Sequence, residues 1–514
     1  MRHFDAAAER FDRRLVVGVI AAALFGALVV ARLVQVQLVE FVPLSKVADS
    51  QQERTLTYPA ARGSVTDRSG EPLVMTLRED RRLQHPGERL HPHGPLGAQL
   101  VGFVSKDGHG QEGVELAFDG DLQGRDGFRV VGANARGYLR TIPGSRSESP
   151  QDGSTVVLSI DAAAQSILER ELARTVKDTN AHSATGVLLE PRTGDVLAMA
   201  SYPAFDPEHP GDAPAEHRKL RAVTDMTEPG STFKVVTIGG CLEEGLVERG
   251  TLVESSAVME LAGGYKLHDK QDYGWVTVEE TLVHSINTAT AQLGRKLGPE
   301  RLYQYARAFG LGCVTGIDLP GEASGILSRP VGWSGRSLET IAIGQEIAVT
   351  PIQLACAYAA IANGGVLMKP RLVREIRDAR GDVERRYPPR QVRRVLSPET
   401  ARTLSEMMAK VVEEGTGETA SIPGITVAGK TGTAQWFDRE RNRYDPTSHV
   451  ASFAGFVPAD EPRLVGVVMV ERPEGVGWGR EVAAPCFRRI VEGILLSGRE
   501  PAQIALASLA GGAN

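Results

Sequence analysis

Cysteine is scarce and scattered. Cys241, Cys313, Cys356 and Cys486 stand far apart with no Cys-x-x-Cys pair, so neither a zinc site nor a dense disulfide framework is signalled, and buried free thiols are expected. Positive charge is not in excess either. Lys plus Arg total 58 against 64 Asp plus Glu, a formal net charge of -6, and no basic run interleaved with aromatics occurs, so nucleic acid is not an expected partner. No internal repeat is evident, and no second apolar run matches the one near the N-terminus. His91 and His93 flank Pro92 without a third ligand at a matching spacing, which reads as surface loop rather than a metal centre. Neither a metal nor another cofactor is implied.

What is present begins with 514 residues, 42% apolar and 24% charged, an ordinary globular composition with room for two or three domains. The stretch Leu15 to Ala31 carries no charge, with Arg13 and Arg14 before it and Arg32 after it. As a helix it spans roughly 26 Å, a little short of a hydrocarbon core of about 30 Å. Leu33, Val34 and Leu38 can extend it while Arg32 snorkels to the interface. No small-x-small cleavage site follows Val30, so an uncleaved signal-anchor is expected over 15–38. Arg2, Arg10, Arg13 and Arg14 predict a cytoplasmic tail over 1–14 and export of everything after about Glu40.

Beyond the anchor, Pro59 to Gly70 alternates like a short strand closed by a Ser-Gly turn, and Glu71 to Pro95, polar and rich in Pro and Gly, reads as loop. Thr155 to Ile160 is a clear strand, and a domain boundary is expected just before it, near residue 150. Asp161 can cap a helix running to about Lys177. Strands are expected over Thr185 to Leu189, Asp195 to Ala200, Ile425 to Gln435, Val450 to Val457 and Leu464 to Glu471, with a closing helix over Pro485 to Leu496. The economical architecture is α+β: one antiparallel sheet built from both ends of the domain, with helices between them in sequence.

Three short segments carry chemistry: Ser231-Thr232-Phe233-Lys234, Ser285-Ile286-Asn287 and Lys430-Thr431-Gly432-Thr433. Each is common by itself; the ordered set describes a serine acyl-transfer site. Pro229-Gly230 puts Ser231 at a helix N-terminus with Lys234 on the same face. An alcohol needs a base within about 3 Å, and Lys234 can serve only if burial or a nearby cation such as Lys430 lowers its pKa. Ser285, expected near the middle of a helix from Val278 to Leu297, could relay a proton, and the Asn287 amide could orient a scissile bond. Lys430 sits in a candidate edge strand that can pair with an extended peptide, Gly432 letting the substrate approach. Lys430 with the hydroxyls of Thr431 and Thr433 can hold a terminal carboxylate. The backbone N–H groups of Ser231 and Thr433 are the natural oxyanion donors. A rival reading overlaps: Gly424 to Thr431 satisfies G-x-x-x-x-G-K-[ST], but Ser421-Ile422-Pro423 precedes it and the β-suited Thr433 to Phe437 follows, where a phosphate loop needs a strand and then a helix.

This ordered set resembles the signature of class B penicillin-binding proteins. Arg62-Gly63-Ser64-Val65-Thr66-Asp67-Arg68, Gly113-Val114-Glu115, Arg221 to Asp225, Gly344-Gln345 with Thr350-Pro351, and Gly415-Thr416-Gly417 extend the resemblance over nearly the whole chain. Glu228-Pro229-Gly230 and Asn287 look more like the division-specific type, FtsI or penicillin-binding protein 3, than the elongation type. The resemblance implies a small β-rich, non-catalytic pedestal over 39–150, a transpeptidase domain over 151–500 with a serine β-lactamase-like fold, and a C-terminal tail over 501–514. It also implies a D,D-transpeptidase of the inner membrane with its catalytic domain in the periplasm. Ser231 would attack the penultimate D-Ala carbonyl of a peptidoglycan stem, release D-Ala, and pass the acyl group to a neighbouring amine; β-lactams would acylate the same serine. No glycosyltransferase domain fits before residue 150, so a membrane polymerase of the shape, elongation, division and sporulation family (FtsW or RodA type) is the implied partner, with other division proteins. The chain departs in one place: about 25 polar residues, Glu71 to Pro95, stand where similar proteins carry a longer lobe that contacts the polymerase. Alternatives are an elongation-type transpeptidase, a carboxypeptidase or β-lactamase, and a non-catalytic β-lactam sensor.

Overall fold

The apolar run at the N-terminus folds as one helix, α1 (Arg2–Val34), continued by a π-helical turn over Gln35–Val39. Its span from Phe11 to Val39 has a mean hydropathy of 2.4 and is long and apolar enough to cross a membrane, the one such helix among the described residues. The computed structural model describes residues 2–44, 46, 53–77, 87–133, 138–438, 443–475 and 477–497; the tail assigned to 501–514 lies outside them. The chain divides into two compact units, residues 1–59, 83–85 and 125–151 in one, and 60–82, 86–124 and 152–514 in the other.

The first unit holds α1 and a four-stranded antiparallel sheet of β1 (Glu53–Tyr58), β5 (Gly127–Ala133), β6 (Leu139–Thr141) and β7 (Ser147–Glu148). In the second unit, β2 (Val65–Thr66) pairs with β3 (Pro72–Leu77), which pairs with β4 (Glu88–Leu90). Two of these strands lie within the stretch expected to be loop, because Leu73 and Val74 bury their side chains despite the polar surroundings. Residues 78–86 of that stretch lie outside the described residues. His91 is likewise buried rather than on a surface loop, and burial holds its imidazole below the usual histidine range; His93 Nε2 is 3.1 Å from Glu71 Oε1. β8 (Thr155–Leu158) runs parallel to β2, and Asp161 caps α2 (Ala162–Thr179) by accepting from the N–H groups of Ala163 and Ala164, both at 3.0 Å.

The quoted blocks near Arg62 and Glu115 meet in one ion cluster. Arg62 Nε is 2.6 Å from Glu115 Oε2, Arg62 Nη1 is 2.6 Å from Asp119 Oδ1, and Arg89 Nη2 is 2.5 Å from Glu115 Oε1.

Five strands form the central antiparallel sheet, in the order β10 (Val196–Tyr202), β9 (Ser183–Leu189), β15 (Leu464–Glu471), β14 (Arg443–Val457), β13 (Ala428–Asp438). Both ends of the domain contribute, as expected from the order of strands and helices along the chain. Strand side chains point to opposite faces in turn. Val465, Val467 and Met469 enter one core, while Leu464, Val468 and Val470 enter another with α2 and the closing helix α7 (Ala483–Leu496). Because both faces are covered, these strands read as nearly continuous apolar runs. The first core takes α6 (Pro351–Ala362), which is buried all round and is started by Pro351 and a capping box between Thr350 and Gln353. Strand β13 is left at the sheet edge.

Cys241, Cys356 and Cys486 are buried free thiols and Cys313 is a partly exposed one; burial pushes Cys241 up to about 12 and Cys486 to about 11.

Candidate active site

Two glycines set the turn that carries Ser231. Gly230 has φ +52° and donates its N–H to Gly344 O at 3.0 Å; Gly344 has φ +87°, and a Cβ there would fall 2.1 Å from Gly230 O. Only glycine allows two backbones this close in that conformation. Residues Gly230–Phe233 make a 3-10 turn that runs into α3 (Lys234–Glu243), so Ser231 does lie at the start of a helix. Tyr358 of the buried helix α6 donates to Thr232 O at 2.9 Å and anchors the turn from beneath.

Lys234 is fully buried. Its Nζ donates to Ser285 O at 2.5 Å and to Asn287 Oδ1 at 2.7 Å, and lies 3.3 Å from Ser285 Oγ. Among the described residues its bonds go to that second segment rather than to Ser231. Burial lowers its pKa to about 7, opposed by the charge of Asp269. Lys430, also fully buried, is held well below the ordinary lysine range by burial first and then by the charges of Lys234 and Lys270. Burial, more than a cation at Lys430, is therefore what brings Lys234 near neutrality.

The expected continuous helix from Val278 to Leu297 is broken where the chemistry sits. Helix α4 (Val278–Val283) stops, Ser285 takes φ +60°, and α5 (Asn287–Leu297) starts afresh. The left-handed residue turns the Ser285 carbonyl and hydroxyl to Lys234. Asp269 holds the new helix start, accepting from the Asn287 N–H at 2.7 Å and the Thr288 N–H at 2.8 Å. Asn287 Nδ2 donates to His268 O at 2.9 Å, which fixes the amide with its oxygen toward Lys234. Nothing local in the sequence distinguishes Asp269 from a solvated loop carboxylate, and it was not among the expected site residues.

On β13, Lys430 pairs with Ala454, Gly432 with Ser452 and Thr433 with Ala451. Lys430 Nζ is 3.2 Å from Thr416 Oγ1, and Thr431 Oγ1 is 3.0 Å from the same oxygen. Thr416, from the Gly415-Thr416-Gly417 block, thus joins the site, a contact that the block's position in the sequence does not show. Gly432 also has a packing task. A Cβ there would meet Ser452 Oγ at 2.4 Å and Pro229 O at 2.9 Å, so its missing side chain admits the nucleophile turn. Thr433 Oγ1 accepts from the Gly479 N–H at 3.1 Å. The phosphate-loop pattern fails on geometry, since its Lys430-Thr431 lies inside a strand and the next described element is another strand, not a helix.

A buried, near-neutral lysine beside a serine turn, facing a broken helix and an edge strand with its own buried lysine, defines an active-site serine enzyme of the penicillin-recognising class. The Penicillin binding protein transpeptidase domain model matches residues 184–492, more than half of the chain. The chain belongs to the penicillin-binding protein transpeptidase family, as a class B member. It is 35% identical over 451 residues to penicillin-binding protein PbpB of Mycolicibacterium smegmatis, covering 85% of this chain and 68% of that one. It is 30% identical to the probable peptidoglycan D,D-transpeptidase PenA of Neisseria meningitidis serogroup A, covering 92% and 90%. Among solved structures, penicillin-binding protein 3 of Mycobacterium tuberculosis complexed with aztreonam superposes with a TM-score of 0.76 at 32% identity, covering 86% of this chain and 97% of that chain.

Proposed function

We propose that this chain is a peptidoglycan D,D-transpeptidase that works through an acyl-enzyme on Ser231. The observation that carries the reading is Lys234, fully buried, with a pKa of about 7, between the serine turn and Ser285. In the neutral form Lys234 Nζ takes the Ser231 proton as Oγ bonds to the penultimate D-Ala carbonyl carbon. Ser285 relays that proton to the departing D-Ala amine as the peptide bond breaks. An amine from a neighbouring stem then attacks the ester and restores Ser231. Asn287 orients the substrate amide, Lys430 with Thr431 and Thr433 receives the terminal carboxylate, and the N–H groups of Ser231 and Thr433 receive the oxyanion. Gly432 serves by letting β13 close on the turn. β-Lactams acylate Ser231 by the same route.

The same reading assigns 39–150 to a pedestal and 151–500 to the transpeptidase domain, supported by the family match over 184–492. It places the N-terminal helix in the inner membrane with the catalytic domain in the periplasm, supported by the arginines before the span. A role in septal synthesis beside an FtsW- or RodA-type polymerase is part of it. Fluorescent penicillin labelling of the wild type and of Ser231→Ala tests the nucleophile: the label should vanish, and its survival in the variant would remove Ser231 from the mechanism. Lipid-linked substrate supplied with a polymerase then separates cross-linking from mere trimming of stems.

A further inference from the structure

Nine arginines fall between Arg371 and Arg394, against four Asp or Glu, in a chain whose net charge is -6. Residues of this stretch form β11 (Val373–Arg377) and β12 (Val383–Arg386), which extend the β8-β2-β3-β4 sheet. Where β11 lies beside β8, a cleft of about 600 Å³ opens, lined by Arg68, Arg371, Arg374, Arg377 and Arg386 together with Thr66 and Tyr387. None of these residues belongs to the acyl-transfer site.

The cleft has more cation than its own carboxylates answer. Asp195, buried behind it, pairs with Arg371 and lies 3.9 Å from Arg374 Nε. Glu375 accepts from Arg377 Nε at 2.7 Å and lies 3.7 Å from Arg386 Nε. Arg68 makes no ion pair among the described residues, so five guanidiniums face two carboxylates. A second observation points the same way. Thr66 lines the cleft and is only 8% exposed, and its Oγ1 is a buried hydroxyl without a hydrogen-bond partner among the described residues. An unpaired buried hydroxyl is costly unless a ligand oxygen completes it.

We propose that this cleft is a binding site for a phosphate-bearing anion. Guanidinium forks match phosphate oxygens in bidentate pairs, and one phosphate or pyrophosphate group offers in a compact volume the charge that separate carboxylates would have to bring from several directions. Arg374 and Arg377, both on β11 and more exposed than Arg371, hold the anion from one side and Arg68 from the other, while Thr66 Oγ1 donates to one of its oxygens. The Tyr387 ring offers an apolar wall for what the phosphate is attached to. Arg371, tied to Asp195 and donating to Tyr387 O at 2.8 Å, shapes the floor rather than gripping the ligand.

The phosphate can come from a lipid headgroup or from a soluble phosphate compound, and titration of the full chain in zwitterionic nanodiscs separates the two. The probes are inorganic pyrophosphate, a short-chain phosphatidylglycerol below its micelle concentration, and citrate as the carboxylate control, each at constant ionic strength. Saturable binding is expected for at least one phosphate probe, tighter than citrate by at least about fivefold. Preference for phosphatidylglycerol assigns a headgroup, and preference for pyrophosphate assigns a soluble phosphate. R374Q/R377Q should weaken binding at least about tenfold and Thr66→Val about threefold to fivefold, while penicillin labelling is unchanged. R68Q gives the same reading should the double variant melt early. Absence of saturable binding by both phosphate probes, citrate binding as tightly, or unaltered affinity in the folded arginine variants would overturn the site.

Discussion

Lys234 Nζ lies 2.7 Å from Asn287 Oδ1, so the buried lysine is paired with a neutral amide rather than a carboxylate. A hydrogen bond to an amide oxygen orients the lysine without the full charge that would hold its proton. Asp269, which does carry charge, is turned to the backbone N–H groups of Asn287 and Thr288. The pair therefore allows a lysine pKa of about 7, the range in which a general base is useful.

Acylation of Ser231 by a β-lactam should rise with pH through about 7. Lys234 acts in its neutral form, and burial places the loss of its proton there, so the rate is low below that value and levels off above it. Stopped-flow acylation between pH 5.5 and 9 reads the limb. A flat profile across this range would remove Lys234 as the base.

Asn287→Asp should shift the same limb upward. The new carboxylate would sit where Asn287 Oδ1 now accepts from Lys234 and would favour the ammonium form, raising the apparent pKa by about 1–2 units and slowing acylation at pH 7 by about tenfold or more. Raising the pH should recover much of the rate. A loss of equal size at every pH would instead mean that the amide acts only by orienting substrate.

Why some of this was legible in the sequence and some was not follows from the range of the interactions. The sheet strands and α2 were readable because burial on two faces and an Asp cap are local patterns, as in Leu464–Glu471 and at Asp161. The ordered serine and lysine segments were readable because acyl transfer requires those groups. The break at Ser285 was not, since helix-compatible residues on both sides hide a conformation fixed by Lys234 and Asp269 from distant parts of the chain. Thr416 and the role of Gly432 were hidden for the same reason: their partners Lys430, Ser452 and Pro229 are remote or on another element. The strand at Pro72–Leu77 is hidden in the sequence because its apolar core is short and set among polar residues.

Thr416→Val should slow acylation about tenfold with little change in thermal stability. It removes the oxygen that lies 3.2 Å from Lys430 Nζ and 3.0 Å from Thr431 Oγ1 while keeping the side-chain shape, at roughly 1–3 kcal/mol for hydrogen bonds to a charged or buried group. Thr416→Ser should retain most of the rate. Equal rates for the Val and Ser variants would show the hydroxyl to be dispensable.

Gly432→Ala should cost far more, about a hundredfold or greater in acylation, together with a lower melting temperature. The added methyl meets Ser452 Oγ at 2.4 Å and the Pro229 carbonyl at 2.9 Å, so β13 must shift away from the serine turn, and small displacements of reacting groups are expensive. Ser452→Gly in the same chain relieves the shorter contact and should restore part of the rate. No rescue would locate the damage at Pro229 instead.

Glu115→Gln tests the ion cluster, which shares no residue with the acyl-transfer site. Glu115 is fully buried and binds Arg62 and Arg89, whose side chains are only 8% and 9% exposed. The substitution keeps volume but leaves two buried guanidiniums with Asp119 as their remaining side-chain carboxylate. Removing one partner of a buried charge cluster costs about 3–5 kcal/mol because the remaining charges stay desolvated. In a folding unit of this size, with about 2.1 cal/mol/K of unfolding entropy per residue, that corresponds to a fall in apparent melting temperature of roughly 3–6 °C. Burial already holds Arg89 below the usual arginine range against the pull of Glu115, so Arg89→Met in the Glu115→Gln background takes away one stranded charge and should regain part of the loss. Penicillin labelling well below the transition should stay near the wild-type level in both variants. A Glu115→Gln protein that melts with the wild type would show the cluster to be electrostatically neutral to folding.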